Sequence, residues 1–235
     1  MGLSDLFSRR RKEDQDGADA GAVDSPVHPT KALAKFLTSL GSRQQPLLLD
    51  LGPVVGTNVT FFGEQVGCKI LVEDLYKDID RHVREGKVDQ LPAFFDKRFP
   101  QEAGGVDGIL CWDLFDYLDK AAAEPLARQL TRVLRPDGAL LAFFSTADPR
   151  SAVQATYTRH VVVDKATLQY RPYSAARGKQ RPLLNRDIQR LFEPLRITEQ
   201  FLLKTNLREV LFRKPAAVPT SPIPPTPPTP PSAEP

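Results

Sequence analysis

In the first third of the chain, segments with the helical spacing of hydrophobic residues alternate with short, continuous apolar runs. The clearest helical pattern begins at Thr30 and ends at Gly41, with apolar positions at Leu33, Phe36, Leu37 and Leu40. Residues 47–51 form a short apolar run typical of a strand buried on both faces. An amphipathic stretch over 56–66 and a second apolar run over 69–72 follow. This order predicts two parallel strands joined by a right-handed helical crossover.

The rest of the sequence continues to alternate between predicted strands and helices, and it ends with two predicted strands in succession. Apolar runs at 93–95, 106–112 and 139–144 predict further strands, separated by helical patterns. Two final runs, at 197–203 and 207–212, flank a Thr-Asn turn and predict an antiparallel hairpin. We therefore expect an α/β fold: a doubly wound, mostly parallel seven-stranded sheet closed by an antiparallel C-terminal hairpin.

The two ends of the chain differ in composition from its middle. Of the 235 residues, 41% are hydrophobic and 26% charged, which allows an ordinary domain with a sizeable core. Residues 1–29 combine a basic run with an acidic Ala/Gly-rich run, and 215–235 are rich in proline. We expect both ends to be disordered, the second as a polyproline-like tail offered to a partner. The expected domain spans 30–214.

Several functional classes lack support in the sequence. No run of about 18 apolar residues predicts a membrane span, and no apolar stretch of the signal-peptide kind follows the basic run. Cys68 and Cys111 lie far apart, as is common in a reducing compartment. Asp78 and Glu85 flank His82 without a second His or Cys at ligand spacing, so we predict no metal. A cytoplasmic location is expected, and the net charge of +3 does not imply nucleic acid.

Four motifs follow one another at the ends of the predicted strands. They are LLDLGPVVG at 48–56, LVEDL at 71–75, VDGILCWDLFDYL at 106–118 and LRPDGALL at 134–141. In this order they resemble the motifs of the class I S-adenosylmethionine (SAM) dependent methyltransferases, in particular the small-molecule, methyltransferase type 11-like branch. The resemblance covers nearly all of residues 30–214. It implies a Rossmann-like fold, SAM as cofactor and methyl transfer as the reaction.

The resemblance also implies which residues hold the cofactor. The expected cofactor-binding residues are Asp50, Gly52, Gly56, Glu73, Asp74, Cys111 and Trp112. Glycines in the first turn let the backbone approach a ligand, and an acid ending the second strand accepts hydrogen bonds from ribose hydroxyls. Asp74, 24 positions after Asp50, is the preferred acid, and Glu73 stands one residue from the same role.

One position departs from the first motif. Val54 stands where the family has its middle glycine, and its β-branched side chain replaces a bare backbone. Either Val54 points back into the core, or the site has narrowed and only the fold is kept. Asp137 replaces a glycine before the next strand, where an Asp-Gly turn can serve the same geometry.

Methyl transfer needs no protein nucleophile, so no catalytic residue is evident. Placement of the acceptor supplies most of the catalysis, with a base in some cases. Asp113 and Asp116, just after the 106–112 strand, are the candidate bases. For Cys111 and Trp112, ordinary packing is the alternative to ligand contact.

The expected acceptor is a small molecule, because the fourth-strand motif lacks the N-P-P-Y signature of amino-directed nucleic-acid and protein methylases. A basic insertion at about 157–184 reads as a hairpin flap turning at Asp164-Lys165. RNA, stacked on Tyr157, Tyr170 and Tyr173, is the less favoured partner.

Two other functions stay open. A catalytically inactive methyltransferase-like protein could serve as an interaction or regulatory module, and Val54 is the residue that favours it. An NAD(P)-dependent oxidoreductase has less support, because the turn lacks G-x-G-x-x-G.

Overall fold

A computed structural model describes residues 25–41, 43–148, 154–180 and 182–216. The predicted tails lie almost wholly outside the described residues. The strands are β1 Val27–Pro29, β2 Leu47–Asp50, β3 Lys69–Val72, β4 Val106–Trp112, β5 Leu134–Ser145, β6 Thr156–Asp164, β7 Thr167–Ser174, β8 Arg196–Leu202 and β9 Leu207–Arg213. The helices are α1 Ala32–Leu40, α2 Gly56–Thr60 with a π-helical turn Phe61–Gln65, α3 Leu75–Arg84, α4 Leu91–Lys97, α5 Lys120–Val133 and α6 Asn185–Leu191, besides short 3-10 turns at Val88–Gln90 and Leu114–Tyr117.

The main sheet is mixed, in the order β3-β2-β4-β5-β9-β8. The first four strands of that order are parallel, and β9 and β8 close it as an antiparallel hairpin. The α/β class and the closing hairpin are therefore as predicted from the sequence.

The predicted seventh strand is wrong: the described residues place six strands in this sheet. Ala93, Phe94 and Phe95 lie in α4 instead, with Phe95 buried and Phe94 packed against the core. A short apolar run has the same composition whether it is a buried strand or one face of a helix. Here the proline near the start of α4 and the apolar positions Leu91 and Phe95, one helical turn apart, fit the helix.

The two layers flanking the sheet follow from alternation along the strands. Successive strand residues point to opposite faces, so Leu48 and Leu110 pack with α1 while Leu49 and Ile109 pack with α3, α4 and α5. Strands buried on both faces need such continuous apolar runs. The sheet is thus covered by helices on both sides, which is the doubly wound arrangement.

The first helix is completed by the last strand. Glu209, fully buried on β9, accepts hydrogen bonds through Oε2 from the backbone N–H groups of Lys31 and Ala32, both at 2.8 Å. A carboxylate is favourable at a helix N-terminus, where backbone N–H groups lack partners within the helix. Thr30, which precedes the helix, accepts a longer bond through Oγ1 from Leu33 N, at 3.4 Å.

A second, three-stranded sheet has the order β1-β7-β6. Its β6–β7 hairpin turns after Asp164, as predicted for the basic insertion. The described part of the chain contains no helix long and apolar enough to cross a membrane.

Candidate active site

The carboxyl ends of β2, β3 and β4 meet at one edge of the main sheet. Asp50, the last residue of β2, is buried and accepts hydrogen bonds through Oδ1 from Gly52 N at 2.9 Å and from Trp112 Nε1 at 2.7 Å. Burial raises the pKa of Asp50 to about 6, against the effect of these two bonds. Asp50 therefore ties the first turn to the end of β4.

Gly52 lies directly against the Trp112 indole. A Cβ at Gly52 would stand 2.8 Å from Trp112 Cδ1 and from Nε1, closer than atoms in contact allow. The other side of the indole stacks on His160 of β6, with ring centroids 5.1 Å apart and planes within 4° of parallel. The chain's own rings thus cover the first glycine of the motif.

The rest of the turn faces solvent. Val54 is 68% exposed, which excludes the expectation that its side chain returns to the core. A Cβ at Gly56 would meet no described atom within 4 Å. The backbone here is accessible to a ligand, beside the β-branched side chain of Val54.

The two acids after β3 make different contacts. Glu73 forms an ion pair with Arg98, whose Nη2 lies 2.6 Å from Oε2. Asp74 caps α3 by accepting a bond from Lys77 N at 3.2 Å, and it stays half-buried at the edge. Burial raises the pKa of Asp74. Glu73 is therefore engaged in an ion pair, whereas Asp74 is not paired with Arg98 and lies at the start of α3.

Asp113 and Asp116 belong to a buried polar cluster after β4. Asp113 accepts bonds from Tyr76 Oη at 2.7 Å and Lys179 Nζ at 2.7 Å. Asp116 Oδ2 accepts bonds from Ser145 N at 2.9 Å and from Lys179 Nζ at 3.0 Å. Tyr117 donates a bond to Thr156 O at 2.8 Å and lies 3.4 Å from Asp113 Oδ2. Both predicted candidate bases therefore lie together.

The two carboxyl groups of this cluster differ in acidity. Burial raises the pKa of Asp116 to about 6, and Lys179 opposes the rise only in part. Burial acts in the same direction on Asp113, but Lys179 and His160 hold the pKa of Asp113 below its ordinary value.

The β6–β7 hairpin covers this part of the edge. Asn58 of α2 binds β6 through two hydrogen bonds: its Nδ2 donates to His160 O and its Oδ1 accepts from Val162 N, both at 2.8 Å. Tyr157 is buried between the rings of Tyr76 and Tyr117, at centroid distances of 5.3 and 4.8 Å. The hairpin is thus a packed cover rather than a solvated flap.

Most basic side chains of the insertion that the structure describes make internal contacts. Arg177 pairs with Asp119 at 3.5 Å, and the Arg159 guanidinium lies 4.3 Å from the centre of the Tyr173 ring. Tyr157 is only 1% exposed and cannot stack on an RNA base in this arrangement. Arg181, part of the same basic run, lies outside the described residues.

Cys111 takes no part in the edge. Its thiol is fully buried in the core between the sheet and α3–α5, and burial raises its pKa well above the ordinary value. Among the described residues, no group of three or more His, Cys, Asp or Glu side chains is arranged to hold a metal ion.

Sequence reasoning missed Tyr76, Asn58, His160 and Lys179. Lys179 is one of several basic residues in the insertion, and its sequence context does not distinguish it from the others. His160 had no neighbour at a recognisable spacing. The contacts of these residues depend on how residues 156–180 fold back over the sheet. Local periodicity carries no information about that path.

Comparison with known proteins gives structural likenesses only. No protein-family description and no curated protein matches the chain. One similar structure is 1,6-didemethyltoxoflavin-N1-methyltransferase of Burkholderia thailandensis with S-adenosylhomocysteine, at 15% identity, TM-score 0.47, and coverage of 89% of this chain and 87% of that one. Another is the CcbJ methyltransferase of Streptomyces caelestis, at 13% identity, TM-score 0.45, covering 77% and 93%. A TehB-like SAM-dependent methyltransferase of Corynebacterium glutamicum has 13% identity, TM-score 0.43, and coverage of 90% and 97%.

All three similar structures are named as methyltransferases, and the protein of Corynebacterium glutamicum is named as SAM-dependent. Because the identities are 13–15% and the TM-scores are below 0.5, these likenesses carry no evidence about the function of this chain.

Proposed function

We propose that residues 30–214 form a SAM-dependent methyltransferase domain that acts on a small-molecule acceptor in the cytoplasm. One observation carries the proposal: the exposed turn at Gly56 and the half-buried carboxylate of Asp74 lie at the carboxyl ends of adjoining parallel strands. In doubly wound folds this is the place where a nucleoside ligand binds.

The residues present fit the nucleoside part of the cofactor. Asp74 offers a carboxylate to ribose hydroxyls, and the accessible backbone at Gly56 allows a close approach. Gly52 is less open, because the Trp112 indole rests on it, so a ligand that reaches Gly52 has to displace the ring. When bound, SAM supplies an activated methyl group on a sulfonium sulfur.

The contribution of the chain is placement of the acceptor and acceptance of a proton. Asp113 and Asp116 follow the end of β4 in the chain, and the pKa of Asp116, raised to about 6 by burial, suits a proton acceptor near neutral pH. The hairpin cover excludes water from these groups, which strengthens their electrostatic interactions.

A small acceptor fits the site better than a nucleic acid. Arg159 and Arg177 make contacts inside the protein, and Tyr157 is buried. These observations leave fewer free cations and stacking rings for RNA than the sequence implied.

The second candidate function is a methyltransferase-like interaction module without a cofactor. The specific observation that favours it is the Trp112–His160 stack over Gly52, since it fills part of the edge with the protein's own rings. The Pro-rich tail would then be the segment offered to a partner.

Calorimetric titration of the full chain with SAM and with S-adenosylhomocysteine separates the two. We expect binding by the wild type, at least tenfold weaker binding by Asp74→Ala, and little change in Glu73→Ala, because Glu73 is engaged by Arg98. Glu73→Ala is the matched control, one residue away. Absence of binding heat from both ligands with folded wild-type protein would exclude the methyltransferase.

A further inference from the structure

A lysine from an irregular segment occupies the buried acidic cluster after β4. Lys179 belongs to residues 175–180, which have no helix or strand, yet its ammonium lies 2.7 Å from Asp113 Oδ2 and 3.0 Å from Asp116 Oδ2. The carboxylate side chains are 2% and 3% exposed, whereas the Lys179 side chain is 27% exposed. The ammonium therefore enters the cluster from outside, at the end of a flexible stem.

The two carboxylates are held in place by groups other than Lys179. Tyr76 donates to Asp113 at 2.7 Å, and the Ser145 N–H donates to Asp116 at 2.9 Å. Tyr76 belongs to α3 and Ser145 to β5, so both donors lie outside the 175–180 segment. An ammonium with three donors thus meets a preformed pair of acceptors.

A second polar group faces the cluster without a partner. His160 Nδ1 is buried, makes no hydrogen bond with any described residue, and lies 3.9 Å from Asp113 Oδ1. The His160 side chain is 3% exposed. Burial lowers the pKa of His160 to about 4, so the ring is neutral at pH 7 and the cluster holds two carboxylates against one ammonium.

The walls of the cluster are aromatic. The Lys179 ammonium lies 5.5 Å from the centre of the Tyr117 ring, and the Tyr76 and Tyr157 rings pack edge-to-face on Tyr117. Aromatic faces attract cations and exclude water, and they fit an alkyl chain that ends in an ammonium.

We propose that this cluster is a recognition site for the primary ammonium group of a small molecule, and that Lys179 occupies it as an internal substitute. The assignment of that molecule as the methyl acceptor rests on the proposed function. The acceptor class is then an alkyl amine, bound where Lys179 Nζ lies. The site is adjacent to Trp112, whose indole covers Gly52.

Methyl transfer to an alkyl amine requires a proton acceptor, and Asp116 is available for this step. The ammonium loses one proton to Asp116, and the freed nitrogen lone pair forms the N–CH3 bond. The C–S bond of the sulfonium co-reactant breaks at the same time, and its electron pair stays on sulfur to give a thioether. Lys179 has to leave the cluster for the acceptor to enter.

The binding site is tested with the full chain and its Lys179→Ala variant. Removal of the side chain beyond Cβ leaves a space that propylammonium matches in length. We expect methylammonium to butylammonium chlorides to raise the melting temperature of Lys179→Ala, with the largest shift for propylammonium. Calorimetric affinity should be at least tenfold higher than for the wild type. Propanol and sodium chloride at equal concentration are the ligand controls, and Lys165→Ala, at the exposed hairpin turn, is the variant control.

Equal responses of Lys179→Ala, Lys165→Ala and wild type to the amines would overturn the site. If Lys179→Ala does not fold, propylammonium is titrated into wild-type protein while the Lys179 Nζ resonance is followed. A shifted Nζ resonance supports the site, and an unchanged one overturns it.

A separate assay distinguishes failure of the site from failure of the proposed function. Wild-type protein is incubated with SAM and either alkyl amines or the matched alcohols, and S-adenosylhomocysteine is measured. Turnover with amines alone supports the proposal, whereas turnover with alcohols alone overturns the amine assignment and leaves the methyltransferase intact. Amine binding by Lys179→Ala without SAM binding supports the ammonium site and excludes the methyltransferase.

Discussion

The two halves of the sheet edge come from neighbouring strands but differ in what covers them. Around the turn, Val54 is mostly exposed and the space beside Gly56 is open. After β4, Trp112 lies against Gly52 and His160, and Asp113 is paired with an ammonium. The first half is arranged to meet a ligand from solvent, whereas the second is already filled by side chains of the same chain.

The sequence motifs do not distinguish binding of the cofactor from binding of the acceptor, whereas the two halves of the edge do. Under the proposed function, the open half would bind the nucleoside and the filled half would hold the acceptor. Substitutions in the filled half are expected to change stability strongly, while those in the open half should act mainly on binding.

The largest expected effect is on Asp113. Replacement by Ala leaves the Tyr76 hydroxyl and the Lys179 ammonium without their shared acceptor, and removing one partner of a buried ion pair costs about 3–5 kcal/mol. Urea unfolding at pH 7 measures the loss. Asp89→Ala, at an exposed position, is the control and should change stability by less than about 0.5 kcal/mol. Similar values for both variants would remove the distinction between the halves.

The next largest effect is a pH dependence of stability that is caused by Asp50, which joins the two halves of the edge. The pKa of Asp50 rises from 3.8 to about 6 on folding because of burial, with the nearby Asp74 carboxylate adding to the rise. Folded protein therefore binds more protons than unfolded protein between these values, and stability falls as the pH rises through them. Asp50→Asn keeps the Oδ1 acceptor for Gly52 and Trp112 and cannot ionise.

Relative to wild type, Asp50→Asn should thus gain about 2 kcal/mol of stability between pH 4 and pH 7.5. Unfolding curves at both pH values test this, with Asp89→Asn as the exposed control. A parallel pH profile for Asp50→Asn and wild type would contradict a protonated Asp50.

The smallest effect compares two glycines of one turn. Gly52→Ala places a methyl group 2.8 Å from the Trp112 ring, and overpacking of this kind costs about 1–3 kcal/mol. Gly56→Ala meets no described atom within 4 Å and begins α2, so it should be neutral or stabilising by up to about 1 kcal/mol. Thermal unfolding of both variants provides the comparison, and an equal loss would contradict a covered Gly52.

The parts of the fold that were predictable from the sequence depend on local periodicity. The continuous apolar run at 47–51 predicted the buried strand, and the two runs at 197–203 and 207–212 around a Thr-Asn turn predicted the hairpin. The run at Ala93–Phe95 failed as a strand, because length and apolar content do not separate a short strand from a helix face. The position of Asp74 followed from its place after a strand.

The filled half was not predictable in the same way. Lys179 lies 66 positions from Asp113 along the chain, and His160 meets Trp112 on a strand that Asn58 binds through two hydrogen bonds. Such contacts depend on the route of an irregular segment, and one sequence carries no periodic signal for it. Asp113 and Asp116 were recognised as acids at a strand end, but their shared ammonium was not.

The Glu209 contact also constrains the order in which the protein can be completed during synthesis. The carboxylate that satisfies the first N–H groups of α1 comes from a residue 177 positions later than Ala32. While the ribosome is still translating the closing hairpin, α1 lacks this partner and its first turn is exposed to fraying. Formation of this cap is therefore expected to be a late step of folding, which follows emergence of β9 from the exit tunnel.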